Sequence, residues 1–504
     1  MKRFQTKIGA VLVALLAVSY GCNEKNIDLD PLGVTEAAFF KEEIDFDRSV
    51  LAIYAKLTDF YYFNKNNPIH GFWQLPGDDI TTTGTVAYEI FGTLQPEGSF
   101  ETSPASTYYG RAYQLINRAN TTLEKIAEEK DVYKTANLKN WHKGEALFLR
   151  GMMYFNLANF FGTSPLIVNR IQDTDAITQP NAADGALLDQ AIKDFTEAAT
   201  LLPATWNAAN RGRTTVNAAN GFLGKALVFR ASIKKQDADY AAALTALNKV
   251  TGVSLAKDFG SNFDVKDENN TESLFEFQAS QPGGGDNVWL ENDFDNNIGS
   301  TSAYWGYYEN HWSLFGKAPF VATKKLLAAF DPKDPRLPLT MNPTTRAITK
   351  YVTRDQKSQS GAASVNNPRI LRFSDILLLK AEATLLSGGS TADAVGFINQ
   401  VRTRARNMVA TGTIPANFAT TEADRARIMG WIMNERFIEL AGEEGARWFD
   451  LRRWHLNGRI NLGSNFDFSS DRSDLSISLP KHLYYPIPLN EIDLNPNIKQ
   501  NVGY

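Results

Sequence analysis

The sequence predicts a mainly α-helical fold, a scaffold of helical repeats that carries a loop-rich insert. Three observations lead there. The stretch Asn137 to Phe161 is apolar on most sides, with Trp141, Leu147, Phe148, Met152, Phe155, Leu157 and Phe160, as expected of a helix packed between neighbours rather than on a surface. Within it, Gly144-Glu145-Ala146-Leu147-Phe148-Leu149-Arg150-Gly151 is echoed eighty residues later by Gly224-Lys225-Ala226-Leu227-Val228-Phe229-Arg230-Ala231. The small, apolar and Arg positions coincide, which indicates an internal repeat. Between about 251 and 370 the periodicity fades, and Gly, Asn, Asp and Pro become frequent.

In chain order, the first element is an export signal. Lys2, Arg3 and Lys7 precede an eleven-residue apolar run, Ile8 to Val18, too short for a membrane span and the right size for a signal-peptide core. It closes on Ser19-Tyr20-Gly21-Cys22, and Cys22 is the only cysteine of the chain. This resembles a bacterial lipobox, with Ser19 where Leu is usual. The expectation is a signal peptide over 1–21, a lipid (palmitate-type) attachment at Cys22, and a polar lipidated tether over 22–36. Ordinary secretion with a leftover cysteine is the plainer alternative. An acylated Cys22 leaves no thiol for disulfides or metal. No later stretch approaches the ~18 apolar residues of a spanning helix, so lipid would hold the body to a membrane.

Length and charge limit the function classes. The 504 residues, 43% of them hydrophobic, supply a large core. With 52 basic against 56 acidic side chains the net charge is −4, and loss of the three cations of residues 1–21 makes it −7. Neither leaves a basic excess to neutralise phosphates, so nucleic acid is a poor partner.

From 37 to about 250 the chain reads as helices. An Ala, an apolar residue and another three further on recur at Ala191-Ile192-Phe195, Ala243-Leu244-Leu247 and Ala394-Val395-Ile398. The first copy continues through Ala198 and Ala199 to Leu202-Pro203, and resembles the second helix of a tetratricopeptide repeat, where small residues permit close contact and Pro stops the helix. The insert, about 251–369, contains only short strand-like runs such as Leu274 to Phe277. Helical repeats resume over 370–456, with helices expected at Ile370–Leu386, Thr391–Arg406 and Glu422–Leu440. The tail around Tyr484-Tyr485-Pro486-Ile487-Pro488 is irregular. The body from 37 to 504 is thus expected to be one composite domain.

Four segments together resemble one family. They are Gly144 to Leu166; Pro368-Arg369-Ile370-Leu371-Arg372-Phe373-Ser374-Asp375 running to Ala383; Asn434-Glu435-Arg436 with Glu439 to Glu444 and Arg447-Trp448-Phe449-Asp450-Leu451-Arg452-Arg453-Trp454; and Tyr485 to Pro496. In this order, behind a lipobox, they are similar to the SusD/RagB family of outer-membrane glycan-binding lipoproteins. The resemblance implies a tetratricopeptide-like scaffold without catalysis, anchored in the outer membrane and facing the cell surface. It also implies a SusC-like TonB-dependent transporter as the partner that imports the captured glycan. The charged motif residues read as structural: Arg447, Asp450, Arg452 and Arg453 lie within a turn or two of Glu443 and Glu444 and can form an ion-pair network on a helix. Trp448 and Trp454 would pack beneath it, and Arg372, Asp375 and Glu382 read the same way.

Sugar rings offer an apolar C–H face edged by hydroxyls, so a binder wants flat aromatic platforms beside polar groups. Trp289 to Trp312 holds seven aromatics in 24 residues, including Trp289, Tyr304, Trp305, Tyr307 and Trp312, with Asn and Asp interleaved. That is 29% against 12% for the chain, a density hard to bury completely in loops, although several of the rings must be core and packing of all seven is the plainer alternative. The second candidate is the loop Tyr61 to Gly84, with Trp73 and Asp78 or Asp79; the resemblance, rather than a motif, points there. A glycosidase acid pair is disfavoured, because Asp78 and Asp79 are adjacent and no second acid stands out. The run Asp293 to Asn297 opens like a calcium loop, but Ile298 replaces the turn Gly and Tyr304 the closing Glu. The five histidines show no ligand spacing, and no cofactor is implied. Beside glycan capture stands one reading of another class, a repeat scaffold that binds a protein through an aromatic hot spot.

Overall fold

The structure is a computed structural model that describes residues 39–61, 74–82, 104–172, 178–279, 320–351, 366–443, 446–463, 465–472 and 477–504. Cys22 and the expected signal and tether lie outside the described residues. The helices are α1 (Glu43–Ala55), α2 (Thr58–Tyr61), α3 (Pro104–Glu128), α4 (Leu138–Phe161), α5 (Ala186–Leu201), α6 (Val216–Lys234) and α7 (Ala238–Asn248). Then come α8 (Lys324–Ala329), α9 (Leu337–Thr340), α10 (Phe373–Leu386), α11 (Thr391–Arg406), α12 (Arg425–Glu439), α13 (Ala446–Leu456) and α14 (Leu489–Leu494). Among the described residues four short strands, β1 (Ile80–Thr82), β2 (Ser273–Glu276), β3 (Phe320–Ala322) and β4 (Arg369–Arg372), form two antiparallel ribbons, β1–β3 and β2–β4.

The long helices stack in chain order: α3 on α4, α4 on α5, α5 on α6, α6 on α7, and α10 on α11. Helix α7 packs directly on α10, so the stack passes over the insert as though it were absent. This is the one-dimensional logic of a helical-repeat scaffold, each unit burying its apolar face on the next. The sequence repeats explain the pairing. Ala191, Phe195, Ala243, Leu247, Ala394 and Ile398 are all fully buried on the second helix of a pair. The repeated Gly lies on the first helix: a Cβ at Gly144 would press on Leu201 and Leu202, and one at Gly224 would collide with Leu247. The repeated Arg clamps the partner helix, Arg150 on Asp194 (2.7 Å) and Arg230 on Asp239 (2.7 Å).

Local chemistry sets most boundaries. Thr215, Ser390 and Asp424 accept backbone N–H bonds at the starts of α6, α11 and α12. The helix expected over Thr391–Arg406 is observed with those ends. The one expected from Glu422 to Leu440 begins only at Arg425, after the Asp424 cap. The one expected from Ile370 is divided: Arg369–Arg372 pairs with β2, and α10 begins at Phe373, whose N–H donates to the Glu272 carbonyl (2.8 Å).

Charge is buried on a large scale between α10, α11, α12 and the insert. Glu439 (0% exposed) accepts from Arg372 (2.6 Å), Arg336 (2.9 Å) and Arg404. Arg372 also binds Glu443 (2.7 Å) and Glu272 (2.8 Å), Arg336 binds Glu435 (2.6 Å) and Asp334 (2.8 Å), and Lys350 binds Glu443 (2.7 Å). Next to this mesh, Arg436 joins Asp375 to Asp450, and Arg453 joins Asp450 to Glu382. The expected local network on one helix is therefore corrected. Glu443 pairs with Arg372 and Lys350, and Arg447 with Asp78, all across elements; Arg453 keeps a local pair, to Asp450 a turn back on α13, and Arg452 bonds only to neutral oxygens. Trp448 and Trp454 are buried as expected, the Trp454 indole N–H donating to Glu382 (3.2 Å).

Candidate functional site

The loop chosen from the sequence is described over residues 74–82, and it is clamped from three sides. The Arg472 guanidinium donates to the carbonyls of Leu75 (2.5 Å), Gly77 (2.7 Å) and Ile80 (3.2 Å). Thr323, which caps α8, donates its hydroxyl to the Asp78 carbonyl (2.7 Å) and its N–H to that of Asp79 (2.8 Å). Beyond the clamp, Ile80, Thr81 and Thr82 pair with Ala322, Val321 and Phe320.

Asp78 and Asp79 are both buried, at 0% and 3% exposure. They do not present free carboxylates to a ligand. Asp78 accepts from Arg447 Nε (2.5 Å) and Nη2 (3.0 Å) and from Lys325 Nζ (2.7 Å). Burial opposes its charge, but these two cations outweigh it and hold Asp78 below the usual carboxylate range. Asp79 is pushed up to about 6, by burial first and then by the charge of Asp78, and its Oδ1 has no hydrogen-bond partner. Arg447 also lies over the Phe437 ring (4.2 Å). Its stem rests on Gly77, where a Cβ would come within 3.2 Å of it and collide with Asp79. The two acids are chain neighbours under one guanidinium, not carboxylates facing each other across a cleft as glycosidic hydrolysis requires.

Trp73, Trp289, Tyr304, Trp305, Tyr307 and Trp312 lie outside the described residues, as does the calcium-like run. The structure does describe how the segments bearing them are tied down. Tyr61, the last described residue before Trp73, stacks on Phe277 (centroids 5.1 Å apart, planes 21° apart), two residues before the described chain stops at Ala279. Phe277 N–H donates to the Pro368 carbonyl and Ala279 N–H to Asn367 Oδ1 (2.7 Å). Thr82 pairs with Phe320, where the described chain resumes after Trp312. Described residues flanking the two segments thus meet at two points, Tyr61 with Phe277 and Thr82 with Phe320.

Beside the anchor an open groove of about 660 Å³ is lined by Lys324, Lys325, Met433, Asn434, Phe437 and Arg447 among others. No local signal marks Lys325, Arg447 or Arg472 as loop anchors, since Lys325 and Arg447 lie 247 and 369 positions from Asp78. Among the described residues no cluster of three or more His, Cys, Asp or Glu could hold a metal ion, and no helix is long and apolar enough to cross a membrane.

Two family models match the chain. The model described as the SusD family matches residues 231–504, and the one described as "Starch-binding associating with outer membrane" matches residues 78–227. SusD-like protein P38 of Formosa agariphila is 25% identical, with all of both chains covered. Among solved structures, a SusD homologue from Bacteroides thetaiotaomicron superposes with a TM-score of 0.75 at 20% identity, over 93% of this chain and 99% of that one. Surface glycan-binding protein A from Bacteroides fluxus superposes with a TM-score of 0.73 at 20% identity, over 94% and 100%.

Proposed function

The chain belongs to the SusD family, and from that premise we propose that it is a non-catalytic surface lipoprotein of the outer membrane that captures glycans and passes them to a SusC-like TonB-dependent transporter. The observation that supports the proposal is the pairing of described residues that flank the two aromatic segments: Tyr61 on Phe277, and Thr82 beside Phe320. Aromatic platforms from two segments can then serve one sugar chain. In this reading Asp78 and Asp79 act beneath the platform, fixing the loop that carries Trp73, while Trp73, Trp289, Tyr304, Trp305, Tyr307 and Trp312 are the candidate contacts.

The test starts with native gels against a panel of polysaccharides, with reducing ends assayed in parallel. Capture predicts retarded migration without new reducing ends; hydrolysis would generate them. With a bound glycan in hand, each of the six aromatics is changed to Ala, and affinity and melting temperature are measured together. A stacking ring contributes ~0.5–1.5 kcal/mol beyond its buried area, so loss of a true platform weakens binding by roughly tenfold or more. A core ring instead loses ~3–5 kcal/mol of stability. At least two variants should lose affinity while melting near the parent. If every variant either binds normally or unfolds, the platform is elsewhere.

The anchor is tested separately. Cys22→Ser should abolish lipid labelling and release the protein from membranes with its fold intact, because Cys22 is the only thiol in the chain. A Ser variant that stays membrane-bound to the parent's extent would refute the lipoprotein reading.

A further inference from the structure

A separate cleft of about 530 Å³ opens where the C-terminal end of α4, the turn at 480–484 and the last residues of the described chain meet. Part of its wall is apolar, with Ile233, Leu456, Leu483 and the partly exposed Tyr484 ring. The Tyr484 ring lies on Gly162 (φ +72°), where any Cβ would come within 3.0 Å of it. Its charged lining is Lys234, Lys481 and Lys499 against Asp184, a net of +2. Lys234 is bound to Asp184. Among the described residues neither Lys481 nor Lys499 has a carboxylate partner: Lys481 lies over the Tyr504 ring (4.8 Å), and Lys499 reaches only the Pro496 carbonyl (3.4 Å).

A fourth cation stands behind the wall. Arg452 is fully buried, with its guanidinium 4.9 Å from the Tyr484 ring centroid. It is bonded only to neutral acceptors, Asn159 Oδ1 (2.6 Å) and the carbonyls of Asn159 and Leu483, and its Nε has no partner. A buried charge without a counter-ion is costly and projects its field through a poorly screening interior. The cleft is therefore electropositive in a chain whose net charge is −4.

We infer that this cleft binds an acidic sugar residue, its ring against Tyr484 and its carboxylate or sulfate ester between Lys481 and Lys499. The inference rests on the glycan-capture reading and adds to it a substrate class and a second point of contact. An apolar wall with one aromatic ring suits a sugar's C–H face, and the volume falls in the range of small-ligand sites. Lysines are mobile point charges, which suits an anion whose orientation is set by the ring it is attached to. An extended polyanion such as nucleic acid finds no basic excess in a chain whose net charge is −4.

The probe pair is oligogalacturonate and its fully methyl-esterified form, which share a backbone and differ in charge, with a sulfated galactan oligomer as second anion. Affinities are measured by calorimetry for the parent, Lys481→Ala/Lys499→Ala, and Lys481→Glu, with melting temperatures to verify folding. Acidic oligomers should bind the parent at least tenfold more tightly than the double variant, and roughly 1 M salt should erase the difference. The esterified oligomer should bind all three proteins equally. As a second readout, the acidic oligomer should slow acetylation of Lys481 and Lys499. The inference is overturned if no acidic oligomer binds the parent, or if the double variant binds it equally. It is also overturned if anionic lipid vesicles, but not oligomers, depend on these lysines. A protein that still shifts in the polysaccharide panel while failing here keeps the capture reading and loses only this site.

Discussion

Glu439→Gln should lower stability by ~3–5 kcal/mol, the range for removing one partner from a buried ion pair, measured by denaturant unfolding. Glu439 is buried among three guanidiniums, and the mesh around it balances: Arg336, Arg372, Arg402, Arg404 and Lys350 against Asp334, Glu272, Glu435, Glu439 and Glu443. Gln keeps the shape and removes one of the five negative charges. If charge balance is what matters, the double change Arg404→Met/Glu439→Met restores it and should cost less than the single one. A double variant that loses as much as both single changes summed would show that individual hydrogen-bond geometry governs instead. The pH dependence follows in sign. Burial disfavours the Glu439 charge, but Arg404, Arg372 and Arg336 hold it well below the ordinary 4.5. Its contribution is therefore present above about pH 4.5 and is lost as pH falls further. Glu439→Gln should accordingly flatten the acid limb of the stability profile.

That mesh also marks the limit of what the sequence could tell. Helices were legible where the signal is local: the apolar run of α4, the Thr391–Arg406 span of α11, and the Ala-based contact positions that recur on α5, α7 and α11. The first helix of the third pair escaped the repeat. Ser374-Asp375-Ile376-Leu377-Leu378-Leu379-Lys380 of α10 matches Gly224 to Arg230 only by type, with Ser for Gly and Lys for Arg. The strand Arg369–Arg372 was hidden because a short, wholly buried strand running into a helix has the same apolar pattern as the helix; only pairing with β2 distinguishes it. Most ion partners were illegible, the Asp450–Arg453 pair within α13 excepted. Glu443 and Arg447 look like neighbours on one helix, yet their partners are Arg372 and Asp78, brought together by tertiary packing.

The candidate site divides in the same way. Composition alone singled out Trp289 to Trp312, since aromatic density in a Gly- and Asn-rich stretch is visible without any fold. What composition could not supply is the clamp. The family resemblance points to Asp78 and Asp79 beside Trp73 by position alone, and acids there equally suit a loop fastened from below. The choice between these depends on Lys325, Arg447 and Arg472, which approach from remote parts of the chain.

Asp79→Asn should make the protein more stable at neutral pH, by about 1–3 kcal/mol. Burial, and then the charge of Asp78, raise the Asp79 carboxyl from 3.8 to about 6. The folded protein therefore binds this proton more tightly than the unfolded chain does. For a raised acid, the stability contribution is fully present below the unfolded value and is lost as pH rises through the folded one. The parent thus loses stability between about pH 4 and 6 and holds an unfavourable charge at pH 7. Asn keeps an acceptor for the Gly442 N–H that faces this carboxyl and drops the charge. The gap between variant and parent should be largest above pH 6, shrink through the window, and close below about 3.8. Asp78→Asn should act in the opposite direction at neutral pH, because it removes the counter-charge to Arg447 and Lys325. Unfolding curves at pH 4, 5, 6 and 7 for the two variants decide the matter. An Asp79→Asn variant no more stable than the parent at pH 7, or one whose advantage grows toward acid, would show that Asp79 is a satisfied ion in the folded protein.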